Sequence, residues 1–169
     1  MISPIETKRL VLRPLEPQDA CDFHGLETDP AVKNFLNGAS KHDVDYYKQW
    51  IAKGGSENST ILAITLRIDG RFIGRCGFTK NWHCDGPELD IVLKKDCWNS
   101  GYGQEVGEAL IKLGFDEFKY DTIFGVADFK HVRSIKLCKR LGMAQRQDFA
   151  LRKEGRPVVV YEIRRPSAK

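Results

Sequence analysis

The chain opens on an alternation of polar and apolar positions. Thr7-Lys8-Arg9-Leu10-Val11-Leu12-Arg13-Pro14 predicts a first strand, stopped by Pro14. The period then lengthens. Pro17-Gln18-Asp19-Ala20-Cys21-Asp22-Phe23 opens a helix, with Glu16 just ahead and Pro17 suited to a first turn. Asp29-Pro30 starts a short helix reaching about residue 34, and a further helix spans 43–52. In that helix Tyr46, Tyr47 and Trp50 are spaced to share a face, before Gly54-Gly55-Ser56 ends it. The middle reads as sheet, with β-rich runs over 60–67 and 72–78. Asp69-Gly70 between them is a two-residue hairpin signal. A loop over 81–86 leads to a strand over 88–93, then a long helix over 102–118. A strand at 122–126, a helix at 131–141 and closing strands at 143–151 and 157–164 follow. Gly142 stands where a helix C-terminus favours glycine. The order is α+β, with hairpins first and one β-α-β crossing afterwards.

Size and composition narrow this picture. A chain of 169 residues predicts one compact domain over 1–169, with a core large enough to need no staples. Hydrophobic residues at 41% and charged residues at 30% match an ordinary soluble protein. No apolar run approaches a membrane span, and the N-terminus lacks the regions of a secretory signal. The five cysteines are odd in number and scattered, which predicts reduced thiols in a cytoplasm. His83, Cys84, Cys76 and Cys97 have no zinc spacing, and no metal is expected. A net charge of +4 suits a polyanionic small ligand, and no aromatic-basic platform calls for nucleic acid.

The stretch that carries chemistry is Asp96-Cys97-Trp98-Asn99-Ser100-Gly101-Tyr102-Gly103-Gln104-Glu105, between a strand and the long helix. Two glycines there let the backbone turn sharply and bring its amides close to a ligand. The first turn of a helix also leaves N–H groups unpaired at the positive end of the dipole. A phosphate or pyrophosphate fits that geometry. A tight turn with nothing bound is the plain alternative. The chain has neither a P-loop nor the dinucleotide Gly-x-Gly-x-x-Gly.

Trp98-Asn99-Ser100-Gly101-Tyr102-Gly103 resembles the phosphate-binding turn of the GNAT acetyltransferases, Gln/Arg-x-x-Gly-x-Gly/Ala, with Trp98 in first place. The Trp and the continuation to Glu105 are similar to the RimJ/RimL-like branch. So are Thr7-Lys8-Arg9-Leu10-Val11-Leu12-Arg13, Asp29-Pro30-Ala31-Val32, Phe72-Ile73-Gly74-Arg75-Cys76-Gly77, Glu88-Leu89-Asp90-Ile91, and the run from Ser134 through Leu141-Gly142-Met143. The resemblance implies the GNAT fold: a central mixed, mostly antiparallel and splayed sheet flanked by helices. It implies acetyl-coenzyme A as donor and a primary amine as acceptor, on a small molecule or a protein N-terminus, in a monomer or homodimer. The pantetheine arm is then expected along Ile91, Val92 and Leu93. The pyrophosphate is expected at Trp98, Asn99, Ser100, Gly101, Tyr102, Gly103 and Gln104, with His131, Ser134 and Leu137 completing the cofactor site.

Glu88 and Asp90 lie two apart on a strand, hence on one face about 7 Å from each other. They make either a solvated polar face or a pair that draws in a cationic amine and helps remove its proton. Glu88 falls on the family's glutamate; Asp90 replaces its usual glycine, so no role is inherited. Ser134 falls on the serine of Asn-x-x-Ser, where a hydroxyl serves the leaving thiolate; a helix cap is the alternative. His131 stands in the asparagine place. Arg133, Lys136 and Arg140 share a helix face, solvated or turned to the cofactor phosphates. Cys97 has no histidine partner in sequence, which favours direct transfer. A coenzyme-A-binding module without catalysis is the rival reading, because His131 and Asp90 depart from the pattern.

Overall fold

The computed structural model describes residues 2–33, 36, 41–55, 59–80, 84, 86–151 and 157–166. The strands are β1 (Ile5–Glu6), β2 (Leu10–Pro14), β3 (Ser59–Leu66), β4 (Phe72–Lys80), β5 (Pro87–Leu93), β6 (Thr122–Asp128), β7 (Ala144–Leu151) and β8 (Pro157–Arg164). They form one sheet in the order β1-β2-β3-β4-β5-β6-β8-β7. Every neighbouring pair is antiparallel except β5 and β6, which run parallel. The helices are α1 (Ala20–Thr28), α2 (Pro30–Lys33), α3 (Val44–Ala52), α4 (Tyr102–Asp116) and α5 (Val132–Arg140).

Alternation along the strands builds a core on each face. Leu10, Leu12, Leu62, Ile64 and Ile73 pack with Val106, Leu110 and Leu113 of α4 on one side. Ala63, Phe72 and Val92 pack on the other side with Phe23 and Leu26 of α1 and Tyr47 and Ile51 of α3. A third cluster seats Cys138 and Leu141 against Ala127, Val159 and Tyr161, which docks α5 beside β6 and β8.

The feature that positions the site is the β5–β6 junction. β4 and β5 pair at seven positions, and so do β6 and β8. β5 and β6 pair only where Glu88 faces Phe124, among the described residues. Past that point the two strands part, and each runs into the N-terminus of a helix: β5 leads to α4, β6 to α5. The parallel pair β5 and β6 is joined by the crossover helix α4; the β-α-β crossing expected after the turn is β6-α5-β7, whose two strands run parallel on either side of β8.

Several boundaries differ from the sequence reading. A two-residue strand, β1, pairs with β2 over Ile5↔Leu12 and Glu6↔Val11; it is too short to show a period. The hairpin after β3 is not a two-residue turn. Gly70 N–H donates to Leu66 O (2.9 Å) and Leu66 N–H to Arg71 O (3.0 Å), closing a longer loop in which Gly70 takes φ +72°. Pro17–Asp19 forms a 3-10 turn before α1, where Glu16 and Asp19 cap reciprocally. The long helix ends at Asp116 rather than 118, and α2 stops at Lys33; Asn34 lies outside the described residues. Asp43 caps α3 by accepting from Tyr46 N–H (2.8 Å). Tyr47 is buried, but Tyr46 turns outward and stacks on His42 with ring centroids 3.6 Å apart. The shared face therefore consists of Tyr47 and Trp50, because adjacent residues on a helix point about 100° apart.

Candidate active site

The parting of β5 and β6 opens a cleft of about 820 Å3, within the range of small-molecule sites. One lip is β5 with the turn into α4; the other is β6 with the first turns of α5. Both helix N-termini lie at the carboxyl ends of parallel strands, where open α/β sheets bind their ligands.

The turn into α4 has the shape of an anion cradle. Lys95–Cys97 forms a 3-10 turn, Asn99 has φ +63° and Gly101 φ +80°. Two left-handed residues flanking Ser100 reverse the chain sharply, and Gly101 is the N-cap of α4. The left-handed region is costly for a residue with a Cβ, which accounts for glycine at 101. The first-turn amides of α4, which have no partner within the helix, lie at this end of the cleft.

Trp98 is fixed from two directions. Its indole Nε1–H donates to Leu93 O (2.9 Å), and the Arg133 guanidinium lies over its ring, 4.0 Å from the centroid. Arg133, Lys136 and Arg140 all line the cleft. Their face of α5 is therefore turned to the site, and it brings positive charge to the anion turn.

Of the residues expected to hold the cofactor, Ile91, Val92, Leu93, Trp98, Asn99, Gly101, Tyr102, Gly103, Gln104, His131, Ser134 and Leu137 line the cleft. Ser100 is not among the lining residues; its carbonyl instead accepts a hydrogen bond from Arg9 Nη1 (2.9 Å). Leu93 O is engaged by the Trp98 indole as well. Gln104 Nε2 donates to Glu108 Oε1 (2.9 Å). His131 is the N-cap of α5 and Ser134 lies one turn in, both facing the cleft.

Glu88 and Asp90 also line the cleft. Leu89, Ile91 and Leu93 pack toward α4 while Val92 packs toward α1 and α3, so alternation sets Glu88 and Asp90 on the α1–α3 side. Asp90 stands in an arrangement that the sequence did not indicate. Its Oδ2 accepts from Arg75 Nη1, and Arg75 Nε donates to Glu27 Oε1 (2.6 Å). Arg75 is nearly enclosed, its side chain 11% exposed. Burial is the largest influence on it and works against the charge. Asp90 and Glu27 outweigh that influence, so its pKa is raised and the guanidinium stays charged. The pair of strand carboxylates thus divides: Asp90 is bound into an ion-pair triad, while Glu88 stands at the fork itself, opposite Phe124.

The thiols near the cleft are not activated. Burial, with Asp96 beside it, pushes the Cys97 pKa above its ordinary value. Burial likewise drives Cys138 up to about 12. No cluster of three or more His, Cys, Asp or Glu able to hold a metal occurs among the described residues; His83 lies outside them.

The site is thus framed by a mixed sheet that forks at one parallel pairing, with a helix-capped turn at the end of the fork. Residues 9–144 match the family model of the acetyltransferase (GNAT) domain, and the chain belongs to that family, which uses acetyl-CoA. It is 26% identical over 139 residues to the uncharacterized N-acetyltransferase YnaD of Bacillus subtilis, covering 82% of this chain and 81% of that protein. An acetyltransferase (GNAT family) from Bacillus anthracis superposes with a TM-score of 0.80 at 20% identity, covering 96% of this chain and 98% of that one. Spermidine N-acetyltransferase from Vibrio cholerae, solved in complex with CoA and spermine, superposes with a TM-score of 0.77 at 13% identity, covering 94% and 96%.

The residues present fit the cofactor. A cleft with first-turn helix amides at one end, three cations along one wall and two diverging strand edges suits a molecule with phosphates at one end and a long amide-bearing arm.

Proposed function

We propose that the chain is an N-acetyltransferase of the RimJ/RimL-like branch, with one catalytic domain that acetylates a primary amine by direct transfer. The observation that carries this reading is the place of Glu88. It stands at the vertex of the β5–β6 fork, in the same cleft as the anion turn.

Acetyl-CoA, when bound, supplies the activated acetyl group. The amides of Asn99, Gly101, Tyr102 and Gly103 and the cationic face of α5 would hold its phosphates, and the parted edges of β5 and β6 would hold its arm. An ammonium is no nucleophile, so a proton must leave the acceptor before transfer; Glu88 takes it. The Glu27–Arg75–Asp90 triad carries one net negative charge beside Glu88, which favours a cationic acceptor. Ser134, facing the cleft from the first turn of α5, donates its hydroxyl hydrogen bond to the departing sulfur. Direct transfer is supported by the raised pKa of Cys97, which leaves little thiolate for a covalent route. Holding the two reactants together supplies a large part of the rate.

The test is a screen of N-terminal peptides, polyamines and aminoglycosides with acetyl-CoA, read by thiol release. Release above the amine-free rate with one class assigns the acceptor. CoA binding without release for any class leaves the chain as a binding module and removes the catalytic reading.

A further inference from the structure

We infer that Arg9 is a positioning residue for the anion-binding turn: from the β1–β2 connection it holds Ser100 by its carbonyl and so locks Gly101 and Tyr102 into the conformation that presents their amides to the cofactor phosphates. The inference rests on the acetyl-CoA reading above.

Arg9 is not among the described residues that line the cleft. It reaches the turn from the far side and grips it at several points. Nε donates to Glu105 Oε2 (2.7 Å), and Nη1 donates to Ser100 O (2.9 Å). The guanidinium carbon lies 4.4 Å from the Tyr102 ring centroid, and Nη2 sits 3.4 Å from where a Cβ on Gly101 would stand. Glu105 is in turn pinned to the same segment. Its Oε1 accepts from the Arg9 backbone N–H (2.7 Å) and from Thr7 Oγ1 (2.6 Å), while its own N–H donates to Gly101 O (3.2 Å). A closed circuit runs from Thr7 and Arg9 through Glu105 to Gly101 and back by way of Ser100.

The turn needs such a hold. Asn99 is left-handed with a side chain, and Gly101 is left-handed with the widest conformational choice of any residue. Released, these residues sample shapes in which the amides no longer converge. The affinity of a ligand falls by the fraction of time its site spends in the competent shape. A planar guanidinium with fixed donors can hold a carboxylate, a carbonyl and an aromatic face at once; an ammonium cannot. Arg9 is thereby a determinant of affinity for the phosphate end of the donor only.

The test measures CoA and pantetheine affinities of the full chain by calorimetry, for wild type, Arg9→Ala and Arg9→Lys. Pantetheine carries the same arm and no phosphate. Arg9→Ala is expected to weaken CoA about tenfold, as for a turn competent about a tenth of the time, and to leave pantetheine unchanged. Arg9→Lys keeps the charge but not the fork, and is expected to lose an intermediate amount, again for CoA alone. Equal losses for CoA and pantetheine reduce Arg9 to a general structural role and overturn the inference. Wild-type CoA affinity in either variant also overturns it, and Arg9→Lys serves if circular dichroism shows Arg9→Ala unfolded. Failure of the wild type to bind CoA is a different result: it removes the acetyl-CoA reading itself.

Discussion

The guanidinium of Arg133 lies over the indole of Trp98, 4.0 Å from its centroid, and joins the two lips of the cleft across the mouth of the anion turn. Trp98 belongs to the β5 lip and Arg133 to the first turn of α5. The stack holds a cation beside the first-turn amides of α4. Replacing Arg133 with Ala removes that cation and a contact in the range of about 0.5–2 kcal/mol. The Kd for CoA should rise about 2–30-fold, with the KM for the amine unmoved. Calorimetry and steady-state kinetics read the two quantities separately.

Glu88→Gln keeps the shape and hydrogen bonding of the residue at the fork but cannot take a proton at neutral pH. General-base help is worth about 10²–10⁴-fold, and kcat should fall by that factor at saturating amine while the Kd for CoA holds. Full kcat in the variant would reassign Glu88 to the binding surface and proton removal to another group.

The two glycines of the turn are not equivalent. Gly101 has φ +80°, whereas a Cβ on Gly103 would meet Leu137 and Leu93 at an ordinary 3.6–3.9 Å. Gly101→Ala should cost about 1–2 kcal/mol, a fall in Tm of about 2–8 °C, and shrink the further rise in Tm on adding CoA. Gly103→Ala should hold or raise Tm, since Ala favours helix over Gly by about 0.8–1.0 kcal/mol. Thermal scans with and without CoA decide the comparison.

Asp90→Asn tests the triad. The change leaves the enclosed guanidinium of Arg75 with Glu27 as its remaining carboxylate. Removing one partner of a buried pair costs about 3–5 kcal/mol, and the surviving carboxylate keeps this case at the low end. At about 3 kcal/mol, Tm should fall by about 6–12 °C. An unchanged Tm with a raised amine KM would instead make Asp90 a direct acceptor ligand.

Glu105 sets a pH dependence. Burial alone would raise its pKa, but hydrogen bonds from Thr7 and Arg9 more than offset this and hold it below the ordinary 4.5. The folded value is thus lower than the unfolded one. The contribution to stability is complete above about pH 4.5 and fades as pH falls through the folded value. Tm should drop on acidification below that point, and Glu105→Gln should make the drop smaller. An identical pH profile in the variant would refute the linkage.

The anion turn was legible because its chemistry is local: Gly101, Gly103 and the start of α4 are adjacent in the chain. The place of Glu88 on its strand was legible for the same reason, through alternation along β5. The contacts that hold these residues were not. Arg75 meets Glu27 across 48 positions and Arg9 meets Glu105 across 96, and no periodicity spans such distances. Arg9 and Glu105 each stood inside a recognisable motif, yet only the packing of α4 against β2 brings the two motifs together. Asp90 was misleading for a related reason. Its strand position set its face, but the cation it pairs with comes diagonally from β4, where Gly77 faces Asp90 and Arg75 faces Val92, a register that only the folded sheet specifies.

The strand order also separates the two lips by the range of the pairings that hold them. From β1 to β5 each strand pairs with the next one in the chain, so these five strands, including the lip that carries the anion turn, are held by near neighbours in sequence. β6 and β7 behave differently: both take β8 as their antiparallel partner, and β8 is made after either. Among the described residues, beyond the single Glu88–Phe124 pairing, β6 has Pro157–Arg164 as its sheet partner. One jaw of the cleft therefore rests on strands that precede it in the chain, and the other on the last strand of all.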